Sequence, residues 1–544
     1  LEITDLEINQ KNALLSVFNK DGIVDFAREL KNLGWNLYAS GGTARLIEEA
    51  GIKVTDVASL VGGSAILGHK VVTLSREIHA GLMADLNNEN EIEELQSLNI
   101  PAIHLVAVDF YPLELEIANP ASSLESVREK TDIGGPTMLR SAAKGSRIVL
   151  SRTDQRHSVI DWLKNGEPSR EEFISELVAT AEYECARYIG ISAQYLGGND
   201  QVYLSAMRRH TELKYGENPY QSPSAMYADN RINPDPLGLD QFTQHKGHTL
   251  SYINATDLDR LINSITHIAA GFEKNFGNVP FIALGAKHSN SCGGAVGETA
   301  VQAIERMIEG DLRAIFGGVI IINAVIDVPE ATAILKHKMD GENDRLLDAI
   351  IAGGITDEAL AIIKRVKLRV LTNPALLTLS IDSLEQRSKL RPVRGGLLIN
   401  PQPNFVLDLS AEEITGTGEI NEQQKRDIIL AWGIGSTSQS NTITIVKNSM
   451  LYGNGVGQQD RVGAAQLALK RAIDAGHDVS GATAYSDSFF PFVDGPTTLV
   501  EAGITTLFAS SGSVRDQEVI DYLADKNLTL RMISDKLGRG FYGH

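Results

Sequence analysis

A chain of 544 residues is too long for one hydrophobic core, and 43% hydrophobic with 22% charged residues describes an ordinary globular protein of several domains. The formal net charge of -19 excludes a broad basic surface for nucleic acid, so cations serving an anionic ligand must be local. Two cysteines, Cys185 and Cys292, exclude a disulfide framework and a cysteine-rich zinc site, and no ligand cluster indicates a metal.

Residues 1–11 are polar with no apolar leader, and no run reaches membrane-spanning length, so the cytoplasm is the expected compartment and no membrane is expected as a partner. Residues 13–18 read as a strand, 22–34 as an amphipathic helix, 35–39 as a second strand and 43–50 as a second helix. An extended piece begins at Lys53-Val54, and residues 102–108 form a buried strand. This alternation predicts a doubly wound parallel sheet for a first domain, residues 1–150. Residues 151–208 are charged with helical spacing and read as a helical connection. A turn-rich cluster at 216–223 opens a second region, residues 209–544. Within it, 281–308 and 443–473 each give strand, Gly-rich turn and helix, which predicts two related α/β subdomains joined by an irregular segment, 375–425.

Several stretches carry chemistry. Ser40-Gly41-Gly42-Thr43 stands between a strand and a helix, where free N–H groups and hydroxyls can face an anion; Ser16 and Lys20 follow the neighbouring strand. The alternative there is a plain helix N-cap by Ser40 or Thr43. Asp132-Ile133-Gly134-Gly135-Pro136 introduces another helix, with Arg140 and Lys144 on one face, and Tyr111 follows a strand at the ligand-binding edge of the same sheet. The run 281–284, bounded by Gly285, predicts a strand ending in the polar turn Lys287-His288-Ser289-Asn290-Ser291-Cys292-Gly293. A cation beside an imidazole suits proton transfer with anion stabilisation, or else is a solvated loop. Lys214-Tyr215-Gly216-Glu217-Asn218-Pro219 is a polar turn, Gln439-Ser440-Asn441-Thr442 precedes a Gly-rich stretch ending at Arg461, and Ser486-Asp487-Ser488-Phe489-Phe490 sets an acid beside aromatics.

In this order the motifs resemble the bifunctional AICAR transformylase/IMP cyclohydrolase family of purine biosynthesis over nearly the whole chain. The resemblance implies an N-terminal methylglyoxal-synthase-like domain and a C-terminal transformylase region of two cytidine-deaminase-like subdomains, without metal. It implies a homodimer, with AICAR, formyl-AICAR, IMP and a reduced folate as partners and 10-formyltetrahydrofolate as co-substrate. By resemblance, His288 transfers the proton, Lys287 supplies positive charge, and Asn441 hydrogen-bonds the formyl centre. Lys214 and Tyr215 face the nucleotide, while Asp487 with Phe489 and Phe490 walls the substrate or folate site. For ring closure, Ser16, Lys20, Ser40, Gly41, Gly42, Thr43 and Lys70 bind substrate, with Tyr111, Asp132 and Lys144 at the reacting end.

The sequence departs from the family pattern at several positions. Val72 replaces a lysine and Ser75 a histidine in the Lys70–Arg76 stretch, and Asp109 replaces an asparagine. Lys214 stands for arginine, Tyr220 for histidine and Ser291 for proline, and Gly540 falls at a C-terminal arginine, with Arg539 beside it. A bifunctional enzyme is the expected function. The alternatives are a transformylase with a degenerate cyclohydrolase domain, or a non-catalytic nucleotide-binding regulatory paralogue.

Overall fold

A computed structural model describes residues 11–63, 65–67, 71–198, 201–229 and 234–542. The chain divides into two compact units between Met207 and Arg208.

The first unit is built on five parallel strands: β1 (Asn12–Ser16), β2 (Asn36–Ala39), β3 (Thr55–Asp56), β4 (Leu105–Val108) and β5 (Ile148–Leu150), in the order β3-β2-β1-β4-β5. The doubly wound sheet expected from the alternation is present. Ala13, Leu14 and Leu15 are fully buried, as a central parallel strand covered on both faces requires. The helix Ile23–Asn32 turns Ile23, Phe26, Ala27 and Leu30 inward, an i, i+3, i+4, i+7 stripe in which each large side chain contributes about 1.5–3 kcal/mol. The strand order reverses between β1 and β4, so the loops after these strands form the crevice where such sheets bind ligands.

The segment read as a separate helical connection differs from that reading. Helix Arg170–Leu196 places Ile174, Leu177, Ala181 and Cys185 in the core of this first unit. Their spacing supplies one continuous apolar stripe, which the many charges on the remaining faces obscure in the sequence.

The second unit is a duplicated design in one 12-stranded sheet. Two hairpins stand outside it: β6 (Arg208–Leu213) with β7 (Ser224–Ala228), and β14 (Lys389–Val393) with β15 (Gly396–Asn400). The second lies within the stretch expected to be irregular. The first half runs β8 (Thr243–Lys246), helix Tyr252–Phe276, hairpin β9 (Phe281–Lys287)–β10 (Asn290–Gly297) and helix Ala300–Gly310. Parallel strands β11 (Val319–Ile326), β12 (Ala349–Ile355) and β13 (Arg369–Thr372) follow, with β8 returning antiparallel to β13. The second half repeats this order: β16 (Thr415–Thr417), helix Glu422–Gly435, hairpin β17 (Ile443–Lys447)–β18 (Met450–Gly455) and helix Arg461–Asp474. Then come β19 (Thr483–Ser486), β20 (Thr506–Ser511) and β21 (Thr529–Ser534), with β16 antiparallel to β21. The halves join where β10 pairs β18.

The glycine-rich runs expected to be turns lie instead inside β10 and β18. A Cβ at Gly293 would lie 2.5 Å from Met307 O, and one at Gly453 2.1 Å from Ala468 O. These glycines let a helix approach its strand closely. Gly285 likewise does not end β9; a Cβ there would lie 2.3 Å from the Ile315 side chain, and the strand continues to Lys287.

Candidate functional sites

In the first unit the residues after β1 and β2 form a polar cradle. Ser16 Oγ and Ser40 Oγ are 2.6 Å apart. Ser40 precedes helix Gly41–Glu49 without capping it through its side chain, so the first N–H groups of that helix remain for another acceptor. Thr43 Oγ1 accepts from Lys20 Nζ at 2.9 Å and donates to Val17 O at 3.2 Å. A Cβ at Gly41 or Gly42 would meet nothing within 4 Å, and Gly41 has φ 45°, so the backbone is open in front of the helix end. Burial lowers the Lys20 ammonium, with Asp109 opposing and Arg156 reinforcing. An open helix N-terminus with a lysine and hydroxyls suits a phosphate.

Asp109 fixes the loop that carries Lys20. Its Oδ1 accepts from Phe18 N at 2.5 Å and Asn19 N at 2.9 Å, and its Oδ2 lies 3.1 Å from Arg156. Beyond this loop the Tyr111 ring meets Phe18 edge-on at 5.1 Å, with Lys130 Nζ 5.1 Å from its centroid. Asp132 accepts from Gly135 N at 2.9 Å through Oδ1, and burial raises its carboxyl above the usual range against that bond. A Cβ at Gly134 would lie 2.8 Å from Thr73 Oγ1, which brings the 71–76 stretch against the start of helix Gly134–Lys144.

In the second unit one sheet edge collects the remaining groups. His288 and Ser289 form the two-residue turn between β9 and β10, with φ of 56° and 57°. His288 is exposed, and Lys287 Nζ donates to Phe316 O at 2.9 Å. Both line a cleft of about 310 Å³ with Asn290, Cys292, Asn454 and Arg471. Burial pushes the Cys292 thiol up to about 12, which leaves it inert as a nucleophile. Ala295 lies opposite Met450, Gly455 opposite Ile443, and Ile443 opposite Ser486. The start of β10, the end of β18, the start of β17 and the end of β19 therefore share this edge, with β10 and β17 about 10 Å apart.

Asn441 precedes β17 and Asp487 follows β19. Arg461 joins them, donating to Asn441 Oδ1 at 2.8 Å and to Asp487 Oδ1 at 3.1 Å. Asp487 is 1% exposed and also accepts from Thr442 N at 3.0 Å. Lys214 and Tyr215 attach to the start of helix Tyr252–Phe276 through Lys214 N to Leu250 O and Tyr252 N to Tyr215 O. The Lys214 ammonium is exposed, 5.5 Å from the Tyr215 ring.

Residues 142–471 match the AICARFT/IMPCHase bienzyme family, and residues 22–137 match the MGS-like domain. The chain belongs to the AICARFT/IMPCHase bienzyme family. The bifunctional purine biosynthesis protein PurH of Anoxybacillus flavithermus (strain DSM 21510 / WK1) is 34% identical over 519 residues, 94% of this chain and 96% of that protein. PurH of Chlorobium phaeobacteroides (strain DSM 266 / SMG 266 / 2430) is 32% identical over 96% of this chain and 97% of its own length, and that of Bacillus thuringiensis (strain Al Hakam) 33% over 94% and 96%. The chain is thus a bienzyme of purine biosynthesis, an AICAR formyltransferase and IMP cyclohydrolase with an MGS-like first domain.

Two residues assigned from the sequence do not join their sites in the bienzyme. Lys144 ends helix Gly134–Lys144, whereas Asp132 stands before its start, so about 15 Å of helix separates them. The helix axis carries Lys144 toward the β5 end where that strand begins, away from the loops after β1 and β4. Phe490 is 3% exposed and packs in the core, where a Cβ at Gly495 would lie 2.8 Å from its ring. Phe489 is half-buried, with Arg539 5.9 Å from its ring. Lys70 lies outside the described residues.

The departures have local structural roles. Val72 packs against the core of the first unit, and Ser75 accepts from Ile78 N at 3.2 Å as the N-cap of helix Arg76–Met83. Tyr220 is 83% exposed, and Ser291 is buried on β10, where its carbonyl accepts from Asn454 Nδ2 at 3.2 Å. At Gly540 a Cβ would lie 2.1 Å from Tyr485 Oη, so no arginine fits; Arg539 instead pairs with Asp535. The sequence does not mark Arg461, Arg156 or Asp257 as site residues. Arg156 and Asp257 bond residues 47 and 32 positions away, a separation that leaves no periodic signal.

Proposed function

We propose that Lys287 and His288 carry the formyl transfer of this bienzyme, with 10-formyltetrahydrofolate as the donor. The gathering of Lys287–His288 and Asn441–Arg461–Asp487 along one sheet edge supports this reading, with Lys214–Tyr215 attached to the start of the helix whose Asp257 bonds Ser289 N. The AICAR amine is conjugated with its ring and is a poor nucleophile. Its nitrogen attacks the formyl carbon, the bond from that carbon to the folate nitrogen breaks, and the amine proton passes through His288 to the departing tetrahydrofolate. Lys287 stabilises the tetrahedral oxyanion and Asn441 hydrogen-bonds the formyl oxygen. Lys214 meets the nucleotide phosphate as a point charge, without the bidentate geometry of arginine.

Ring closure belongs to the first unit in this reading. The carboxamide nitrogen attacks the new formyl carbon within one molecule, and water leaves; holding that conformer supplies much of the rate. Ser16, Lys20, Ser40, Gly41, Gly42 and Thr43 bind the phosphate, with Tyr111 and Asp132 beside the reacting ring. Val72 favours a second reading in which ring closure is weak, because an apolar side chain packed on the core donates nothing to an oxyanion.

A homodimer in the cytoplasm completes the proposal. Hairpin β14–β15 supports self-association, because Leu398 and Ile399 on it are 56% and 43% exposed. Among the described residues no helix is long and apolar enough to cross a membrane, and no group of His, Cys, Asp or Glu could hold a metal ion.

The test gives the enzyme AICAR with 10-formyltetrahydrofolate, and separately formyl-AICAR alone, while IMP is followed. His288→Ala is expected to slow the first reaction about 100-fold or more and to leave the second unchanged. Full formyl transfer by that variant would remove His288 as the base. No IMP from formyl-AICAR would leave a transformylase alone.

A further inference from the structure

The duplicated fold contains the His288 turn twice. Lys287-His288-Ser289-Asn290 in the first half corresponds to Lys447-Asn448-Ser449-Met450 in the second, and Asn448 and Ser449 repeat the positive φ values at 53° and 62°. Each turn is anchored by an aspartate in the second turn of the preceding long helix. Asp257 stands six residues after the N-cap Ser251 of helix Tyr252–Phe276, and Asp427 six after the N-cap Asn421 of helix Glu422–Gly435. Both are buried, at 3% and 4% exposure.

The two anchors are bonded differently. Asp427 is saturated: Oδ1 accepts from Ser449 N at 2.6 Å and Gln423 Nε2 at 2.8 Å, and Oδ2 accepts from Asn448 N at 3.1 Å. Asp257 Oδ1 accepts from Ser289 N at 2.6 Å, the same bond as in the other half. Its Oδ2 accepts no hydrogen bond from the described residues, and the N–H of His288 does not take the place that Asn448 N takes on Asp427. A buried carboxylate with one unused oxygen therefore faces the turn that bears the imidazole.

We propose that Asp257 is a positioning residue for His288, its second carboxylate oxygen taking an imidazole N–H and so fixing the tautomer and stabilising the imidazolium formed when His288 accepts the amine proton. The proposal rests on His288 being the proton-transfer residue. In the duplicate turn, where Asn448 offers no imidazole, the aspartate uses both oxygens on hydrogen bonds, whereas Asp257 leaves one oxygen for the imidazole. Burial raises the Asp257 carboxyl above the usual carboxylate range, against the Ser289 N–H bond and the nearby His288 and Lys287. Facing His288 are Lys287 on its own hairpin, Asp257 on the long helix, Asp311 after helix Ala300–Gly310, Tyr452 on β18 and Arg471 on helix Arg461–Asp474. Asp348 also acts on Asp257, so among the described residues the pair sits with the carboxylates of Asp311 and Asp348 and the cations Lys287 and Arg471.

Asp257→Asn keeps an acceptor for Ser289 N and removes the charge. The test follows the imidazole of His288 by NMR in the full-length enzyme, its resonance identified by loss in His288→Gln, and in parallel the pH dependence of kcat for formyl transfer. In Asp257→Asn the imidazole should titrate about one unit lower, the acidic limb of the profile should move with it, and kcat should fall about 10- to 100-fold at unchanged KM for AICAR. Asp427→Asn should move neither titration nor profile. If Asp257→Asn fails to fold, Asp257→Glu takes its place, with a shifted imidazole titration as the expected result. An imidazole that titrates identically in the parent and the Asp257 variant overturns the proposal, as does an equal shift in Asp427→Asn. Full activity in His288→Ala would instead remove the base assignment, and the NMR titration would still report whether the pair exists.

Discussion

The guanidinium of Arg461 lies 3.1 Å from the carboxylate of Asp487, a pair with side-chain exposures of 13% and 0%. The same guanidinium donates to Asn441 Oδ1 at 2.8 Å, so the residue assigned to the formyl centre is oriented by an ion pair behind it. Removing one partner of a buried pair leaves an uncompensated charge, which costs about 3–5 kcal/mol. Asp487→Ala should lower the unfolding free energy of the second unit by roughly that amount in urea titrations. Formyl transfer should fall in the same variant while ring closure of supplied formyl-AICAR persists.

Val72 occupies a position where the family resemblance places a lysine, and it packs against the core beside the start of helix Gly134–Lys144. A charge-assisted hydrogen bond contributes about 1.5–3 kcal/mol, equivalent to about 10- to 100-fold in rate. Val72→Lys should raise IMP formation from formyl-AICAR by a factor in that range and leave formyl transfer unchanged. A rate equal to that of the parent enzyme would show that another group already serves this position.

Lys144 is exposed at the far end of its helix from Asp132. A side chain that touches neither substrate nor reacting group adds nothing to transition-state stabilisation, so Lys144→Ala should leave ring closure close to that of the parent enzyme. A loss of about 100-fold in the same assay would return this lysine to the reacting end.

His104 precedes β4, and its Nδ1 accepts from Asn12 N at 3.2 Å. Burial, reinforced by Arg147, Lys11 and Arg170, lowers its pKa from 6.5 to about 4. The unfolded chain therefore binds the proton first as pH falls. Stability from the neutral imidazole is complete above the unfolded value and is lost between about 6.5 and 4, on the order of 3 kcal/mol in all. Urea midpoints of the first unit should drop over that window, and His104→Gln, which retains an acceptor, should flatten the slope. A parent enzyme with equal midpoints at both ends of the window would contradict this.

Local patterning determined much of this protein. The β1 run Ala13-Leu14-Leu15, the Ile23–Leu30 stripe and the Ser40-Gly41-Gly42-Thr43 turn are short-range features, because strand burial, helix periodicity and helix ends depend on neighbours within a few residues. The order of the Lys-Tyr-Gly-Glu-Asn-Pro, Lys-His and Ser-Asn motifs was equally legible, and with it the family. Tertiary structure alone decided the rest. Gly293 and Gly453 look like turn residues until the helix that passes each strand is seen. Phe490 and Phe489 are adjacent in sequence, yet one enters the core and the other stays beside Arg539, since only packing distinguishes two neighbouring aromatics. The partnerships of Asp109 with Arg156, Asp487 with Arg461 and Asp257 with the His288 turn join charges or backbone across 26 to 47 residues. No local rule relates such positions, because the register of strands and helices brings them together only after the chain has folded.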